Sequence, residues 1–261
     1  MNPEPTPSVA GQAVALARDV AVAIGRRYHR LEVAVDAPLP AAPSLIVSNH
    51  GFGGIFDLNV LAAFAALRDA GLTGPLDILV HKIAWTLKVG PILEELGCRQ
   101  ASRTAATEAL SAGHHLLVLP GGDLDAFKAY KDRNRIVFAG RQGFARLAID
   151  HGVPIVPIVT AGAGESLLVL SDGQALARTL GLDRLARLKA APISVSLPWG
   201  LNIGAVGLLP YVPLPTKLDT AVLAAIHPRP DDDPAALASR VEAAMQDRLD
   251  VFTADRTPLV G

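Results

Sequence analysis

The sequence predicts an α/β fold: one domain built on a mainly parallel central sheet flanked by helices. Three observations predict it. Short runs rich in β-branched and apolar residues recur at 44–48, 76–80, 116–119 and 153–160, each the length of a buried strand. The segments between them carry an apolar pattern of helical period. Each run ends in histidine, glycine, proline or a polar residue, as at the C-terminal edge of an open parallel sheet, where such folds hold their ligands.

At 261 residues the chain is long enough for one large domain with a full core, and no linker, charge block or repeat divides it. The expected organisation is a helix and lead-in over 1–43, a core over 44–218, and a helix and tail over 219–261. With 24 basic and 25 acidic side chains, the chain lacks the basic stripe with interleaved aromatics that nucleic-acid binding needs. The lone Cys98 cannot form an internal disulfide, and no Cys/His spacing fits a zinc site, so no metal is expected. Adjacent His114 and His115 point in different directions on any regular element. Half the residues are hydrophobic and mean hydropathy is positive, which hints at membranes or greasy substrates. No basic, apolar and cleavable leader opens the chain, and a cytoplasmic location is expected.

In order, residues 9–30 read as an amphipathic helix, with Val14, Leu16, Val20, Val22 and Ile24 apolar and Arg26, Arg27 and Arg30 at its end. Cations there suit the helix dipole, and they equally suit an interfacial helix meeting anionic lipid. The strand at 44–48 runs into Asn49 and His50. Glycines 51, 53 and 54 turn the chain, and a helix from Phe56 to Ala70 places Asp57 at its start. A histidine facing a carboxylate is the material of a general base: the carboxylate fixes one ring nitrogen as N–H and frees the other for a hydroxyl proton. A second strand ends at His81-Lys82, followed by a short helix near Trp85. Gly90 to Arg103 closes in a polar turn whose Arg99 and Arg103 stand beside a helix start, a place that suits a phosphate. The third strand breaks at Pro120-Gly121-Gly122-Asp123, a turn whose backbone N–H groups can face a ligand. A helix over 140–151 leads to the fourth strand.

Between Lys189 and Lys217 the chain carries no charge. Five prolines argue against a membrane-spanning helix and for strands and loops, with Trp199 at the rim of an apolar groove. The tail from Pro234 reads as an amphipathic helix packed on the domain. Gly162-Ala-Gly-Glu165-Ser166 lacks the lysine of a phosphate-binding P-loop, and no serine sits in a nucleophile elbow.

Taken together and in this order, these segments resemble the glycerolipid acyltransferases of PlsC type. Asn49-His50 with Asp57 resembles their first block, Gly97 to Arg103 the second, Val118-Leu-Pro-Gly-Gly-Asp123 the third and Val153-Pro-Ile-Val-Pro157 the fourth. Two features depart from the usual pattern. Six residues separate His50 from Asp57 where the family commonly has four, and the third block reads Pro-Gly-Gly rather than Pro-Glu-Gly, as in diacylglycerol acyltransferases and bacterial relatives. The stretch from Arg133 to Phe144 strengthens that subgroup match. The resemblance implies direct acyl transfer from an acyl thioester, acyl-CoA or acyl-ACP, to a glycerolipid hydroxyl such as that of lysophosphatidic acid, without further cofactor. His50 would be the base, Asp57 its orienter, and Asn49, Lys82, Arg99, Arg103, Gly121, Gly122 and Asp123 would line the substrates. It also implies peripheral contact with a membrane. A neutral acceptor, or a lipid-binding protein without turnover, are the alternatives.

Overall fold

The computed structural model describes residues 9–52, 57–80, 85, 90–179, 192–204 and 210–261. A seven-stranded sheet forms the centre, in the order β1-β10-β6-β2-β5-β3-β4. Its strands are β1 (Glu32–Val35), β2 (Leu45–Ser48), β3 (Leu76–Val80), β4 (Cys98–Gln100), β5 (His115–Val118), β6 (Ile155–Ala161) and β10 (Asp219–Val222). From β6 through β2, β5 and β3 to β4 every pairing is parallel. Only β10 runs antiparallel to β6, carrying β1 parallel to itself. The fold is therefore the mainly parallel α/β sheet that the alternation of strands and helices predicts.

β2, β5 and β6 are buried along their whole length. A strand buried on both faces is apolar at most positions, which is why these runs do not alternate with polar residues and carry only Ser48, His115 and Thr160 among them. Leu45 and Val47 point to one face, with Leu116, Val118, Ile155 and Val159. There they meet α4 (Arg103–Ser111), α6 (Gly143–His151) and α8 (Pro234–Thr253), the last through Leu237, Val241, Met245 and Leu249. Ile46, Leu117, Val156 and Ile158 point the other way, against α2 (Leu58–Asp69) and α3 (Gly90–Glu95). The N-terminal helix α1 (Val9–Tyr28) packs on α2 and adds Val22 to a cluster with Leu58, Ala62 and Ala65. The C-terminal helix packs on the domain, as its amphipathic pattern predicts.

Three strands differ from the reading by pattern. β1 and β10 come from the stretches expected as lead-in and tail, yet both are part of the central sheet. The Gly90–Arg103 stretch is more than a turn: it contains α3 and the edge strand β4. The expected helix after Trp85 lies outside the described residues.

A second, three-stranded antiparallel sheet joins β7 (Leu168–Ser171), β8 (Ile193–Ser196) and β9 (Gly200–Ile203). β7 follows β6 through the short turn at Ala163–Glu165, so this sheet stands beyond the C-terminal end of β6. A short helix, α7 (Gln174–Thr179), follows β7. Strands and loops thus occupy the described part of the uncharged stretch, and no described helix is long and apolar enough to cross a membrane.

Candidate active site

The sequence builds the site at the C-terminal ends of β2, β5 and β6. Asn49 is the first residue past β2 and is 2% exposed. Its side chain donates Nδ2 to the carbonyl of Thr160 and accepts the Thr160 N–H at Oδ1, both at 3.0 Å. Asn59 Nδ2 donates to the Asn49 carbonyl at 2.7 Å. One amide side chain thereby ties the end of β2 to the end of β6, and a second ties it to α2. Asn49 was expected to touch substrate; its hydrogen bonds make it part of the frame.

His50 follows. Its Nδ1 is 2.6 Å from Asp57 Oδ2, while Asp57 Oδ1 accepts the backbone N–H of Asn59 at 2.9 Å and caps α2. The carboxylate orients the imidazole with one oxygen and starts the helix with the other. Since Nδ1 meets an acceptor, Nδ1 carries a proton, and Nε2 is the nitrogen left for a substrate. Nε2 has no hydrogen-bond partner among the described residues, and the side chain is 18% exposed. A histidine held in this way is chemically able to take a proton from a hydroxyl placed at Nε2.

The backbone of His50 is held from the other side. Its N–H donates to Asp125 Oδ2 at 2.8 Å, and Lys128 Nζ donates to its carbonyl at 3.3 Å. Lys128 also meets Asp125 Oδ1 at 2.6 Å and the Arg135 carbonyl at 2.8 Å, and Asp125 Oδ1 accepts the Val137 N–H at 3.2 Å. The pair is almost wholly buried, with side-chain exposures of 0% for Asp125 and 6% for Lys128. Sequence reasoning missed both residues as site components. The signal was a carboxylate and a lysine at i, i+3 just after the Pro-Gly-Gly turn.

That turn leads into α5 (Gly122–Ala126). Gly122 has φ +51°, and a Cβ there would lie 2.1 Å from Arg141 Nη1. Gly121 is restricted by space instead: a Cβ would meet Asp125 Cβ at 2.1 Å. Arg141 donates to the Pro120 carbonyl at 3.1 Å and to Asp123 Oδ1 at 2.8 Å. The Gly122 N–H points to the Leu119 carbonyl at 3.3 Å. Glycine at both positions is therefore required by the packing of this turn, and Asp123 anchors it through Arg141.

Tyr211 is a further residue not singled out from sequence. It comes from the uncharged stretch, packs edge-on against Phe52 at 5.9 Å, and is 8% exposed. Burial, a Ser166 hydrogen bond working the other way, and the nearby Asp57 charge together push its phenol up to about 12. It thus remains a neutral O–H beside the His50–Asp57 pair.

The two expected phosphate ligands stand elsewhere. Arg99 meets Asp77 at 3.0 Å and Glu108 at 4.0 Å, and Arg103 meets Asp150 at 2.8 Å. Both lie at or just after β4, three strands from β2, or about 14 Å at the usual spacing. Lys82, Gly53 and Gly54 lie outside the described residues. His114 and His115 face different partners, Asp77 and the Thr73 carbonyl, and no group of three or more metal-ligating side chains occurs among the described residues.

The family model described as diacylglycerol acyltransferase matches residues 5–235. The chain belongs to this family. Among curated proteins it is similar to the "DGAT1/2-independent enzyme synthesizing storage lipids" of Gallus gallus, 28% identical over 227 residues, covering 85% of this chain and 60% of that protein. An uncharacterized protein of Mycobacterium tuberculosis is 31% identical over 195 residues, covering 74% of this chain and 51% of its own length. This family member thus spans only about half to three fifths of the length of those two relatives. Its fold is that of the 1-acyl-sn-glycerophosphate (LPA) acyltransferase PlsC from Thermotoga maritima, with a TM-score of 0.54 and 14% identity over 93% of this chain and 83% of that one. The resemblance noted from the four blocks is to the same group of proteins.

Proposed function

We propose that the chain is an acyltransferase that moves a fatty acyl group from an acyl thioester, carried on coenzyme A or acyl carrier protein, to a hydroxyl of a glycerolipid. The observation that carries this reading is the 2.6 Å contact of His50 Nδ1 with Asp57, with Nε2 unpartnered among the described residues. Nε2 takes the proton of the acceptor hydroxyl as its oxygen attacks the thioester carbonyl. The C–O bond forms, the C–S bond breaks, and the thiolate leaves with the proton held by the imidazolium. Asp57 keeps the ring in the correct tautomer and stabilises the imidazolium charge. The thioester already supplies the activated acyl group, so no other cofactor is required.

The favoured acceptor is neutral, a mono- or diacylglycerol. Two things support this over lysophosphatidic acid: membership of the diacylglycerol acyltransferase family, and the ion pairs that occupy Arg99 and Arg103 at a distance from His50. The deciding experiment follows a radiolabelled acyl group from long-chain acyl-CoA into lysophosphatidic acid, glycerol 3-phosphate, monoacylglycerol and diacylglycerol, with wild type and His50→Ala. A His50-dependent neutral product is expected. A His50-dependent phospholipid would overturn the acceptor while keeping the mechanism. Failure with every acceptor and donor would leave a lipid-binding protein without turnover.

A further inference from the structure

The turn that follows β6 touches several walls of the candidate site, and a residue near the C-terminus holds it in place. A Cβ on Gly51, next to His50, would lie 2.5 Å from Ala163 Cβ, so Ala163 is the surface on which the His50 loop rests. Gly164 lies against Arg133, whose Cβ would be 2.9 Å from a Cβ placed there. Ser166 Oγ donates to the Ala163 carbonyl at 2.8 Å, and Ser166 is the hydrogen-bond partner of Tyr211. Between them, the Glu165 side chain is 1% exposed and meets Arg256, 2% exposed, through Nε at 2.7 Å and Nη2 at 3.2 Å. Glu165 Oε2 also accepts from Thr216 Oγ1 at 2.9 Å and from the Leu259 N–H at 2.7 Å. Arg256 Nη1 reaches Asp219 of β10 at 2.6 Å, and Nη2 reaches the Lys217 carbonyl. No room is left at the start of the turn: Gly162 has φ +91°, and a Cβ there would lie 2.0 Å from the Lys217 carbonyl oxygen and 2.3 Å from Arg256 Nη2.

We propose that Arg256 is a positioning residue for His50: through Glu165 it clamps the 162–166 turn, and the turn fixes the Gly51 side of the His50 loop. The other sides of that loop are held by Asn49, Asp125 and Lys128. Gly51 has no side chain with which to hold itself, and a left-handed glycine at the head of the turn leaves the backbone there free unless something outside restrains it. A buried ion pair contributes little net stability beyond apolar side chains of equal volume, because both charges lose their water. What its forked hydrogen bonds add is direction. The rigid fork of Arg256 joins Glu165, Asp219 and the Lys217 carbonyl at once, which no apolar side chain would do. Arg256 lies past residue 235, where the family match ends. The effect on turnover rests on the acyl-transfer reading above; the effect on the His50 ring does not.

The test compares wild type with Arg256→Lys and with Glu165→Met/Arg256→Met. The double variant strands no charge at the pair, and Asp219 keeps Lys217 as a partner at 3.1 Å. Two-bond proton–nitrogen NMR spectra of the imidazoles report which ring nitrogen carries the proton, and His50→Ala assigns the His50 signals. His114, whose Nδ1 lies 2.8 Å from Asp77 Oδ2 just ahead of β5, is an internal control of the same kind at the other end of the strands. At alkaline pH both rings should be Nδ1–H tautomers in wild type. In the double variant His50 should become a mixture of tautomers while His114 does not change, and kcat for acyl transfer should fall by about 10²-fold at an unchanged KM. Arg256→Lys should keep part of the clamp and lose less than about tenfold. An unchanged His50 ring, an unchanged kcat in an active enzyme, or a parallel change at His114, which would mean general loosening, would each overturn the proposal. If wild type transfers nothing to any acceptor, the acyl-transfer reading fails by itself and the two rings alone decide the clamp.

Discussion

Replacing Asp125 tests whether the buried pair behind His50 positions it. The carboxylate accepts from three donors: His50 N–H at 2.8 Å, Val137 N–H at 3.2 Å and Lys128 Nζ at 2.6 Å. Asp125→Ala removes the acceptor oxygens of all three donors and leaves the Lys128 ammonium in a nearly dry site. Breaking such a pair from one side costs about 3–5 kcal/mol, a large share of the roughly 5–15 kcal/mol that holds a domain together. Asp125→Asn is the finer probe. One oxygen becomes an N–H2, which then faces either Lys128 or the His50 N–H, donor against donor. We expect a loss of about 2–3 kcal/mol in urea unfolding. The acyl-transfer kcat should drop by about 10²-fold with KM little changed, since a displacement of about 1 Å is enough to misplace a base. Asp125→Ala/Lys128→Met should regain much of the stability that Asp125→Ala loses, because no charge is left stranded, but not the lost kcat. An Asp125→Asn protein with wild-type unfolding and wild-type kcat would refute the argument. So would a double variant no more stable than Asp125→Ala.

Other outcomes follow from the same geometry. His50→Ala should reduce transfer by about 10²–10⁴-fold with little change in unfolding midpoint, since the ring is partly exposed and makes one side-chain hydrogen bond. Asp57→Ala should combine a large loss of kcat with about 1 kcal/mol of instability, because the same carboxylate caps α2; circular dichroism melts and kinetics separate the two. Gly51→Ala should destabilise by about 1–3 kcal/mol, as a Cβ there would lie 2.5 Å from Ala163 Cβ. Acid unfolding should depend on Glu165. Burial pushes its carboxyl up, but hydrogen bonds from Arg256 and the Leu259 N–H, with the Arg256 charge, outweigh it and hold the group below its ordinary value of 4.5. A folded-state value below the unfolded one means full stabilisation above pH 4.5, lost as pH falls through the folded value. Glu165→Gln should flatten that part of the stability curve, and an unchanged acid limb would count against it.

What sequence reveals here is what lies close together in sequence or repeats with a period. His50 and Asp57 could be paired on paper because a strand end and the next helix start are joined by one short loop. β2, β5 and β6 were legible because burial on both faces leaves a nearly continuous apolar run. Asp125 was not, since its partner is the main chain of a residue 75 positions away, which no side-chain pattern records. Tyr211 reaches Phe52 only after the chain has passed through the small sheet. β1 is a short edge strand with three of four residues exposed, too little for a period to emerge. Arg99 and Arg103 match a motif, but a motif carries residue types and not the acidic neighbours, Asp77 and Asp150, that occupy them.

The outer strand β1 is paired with β10 alone, Glu32 opposite Asp219. Within this sheet β1 is the first strand in chain order and β10 the last, so β1 has no partner until the final strand of the sheet is made. Contacts this distant form late. Moving β10 to the front of the gene by circular permutation would let β1 pair at once. The rate of productive folding would then show whether this delay governs how the chain is assembled.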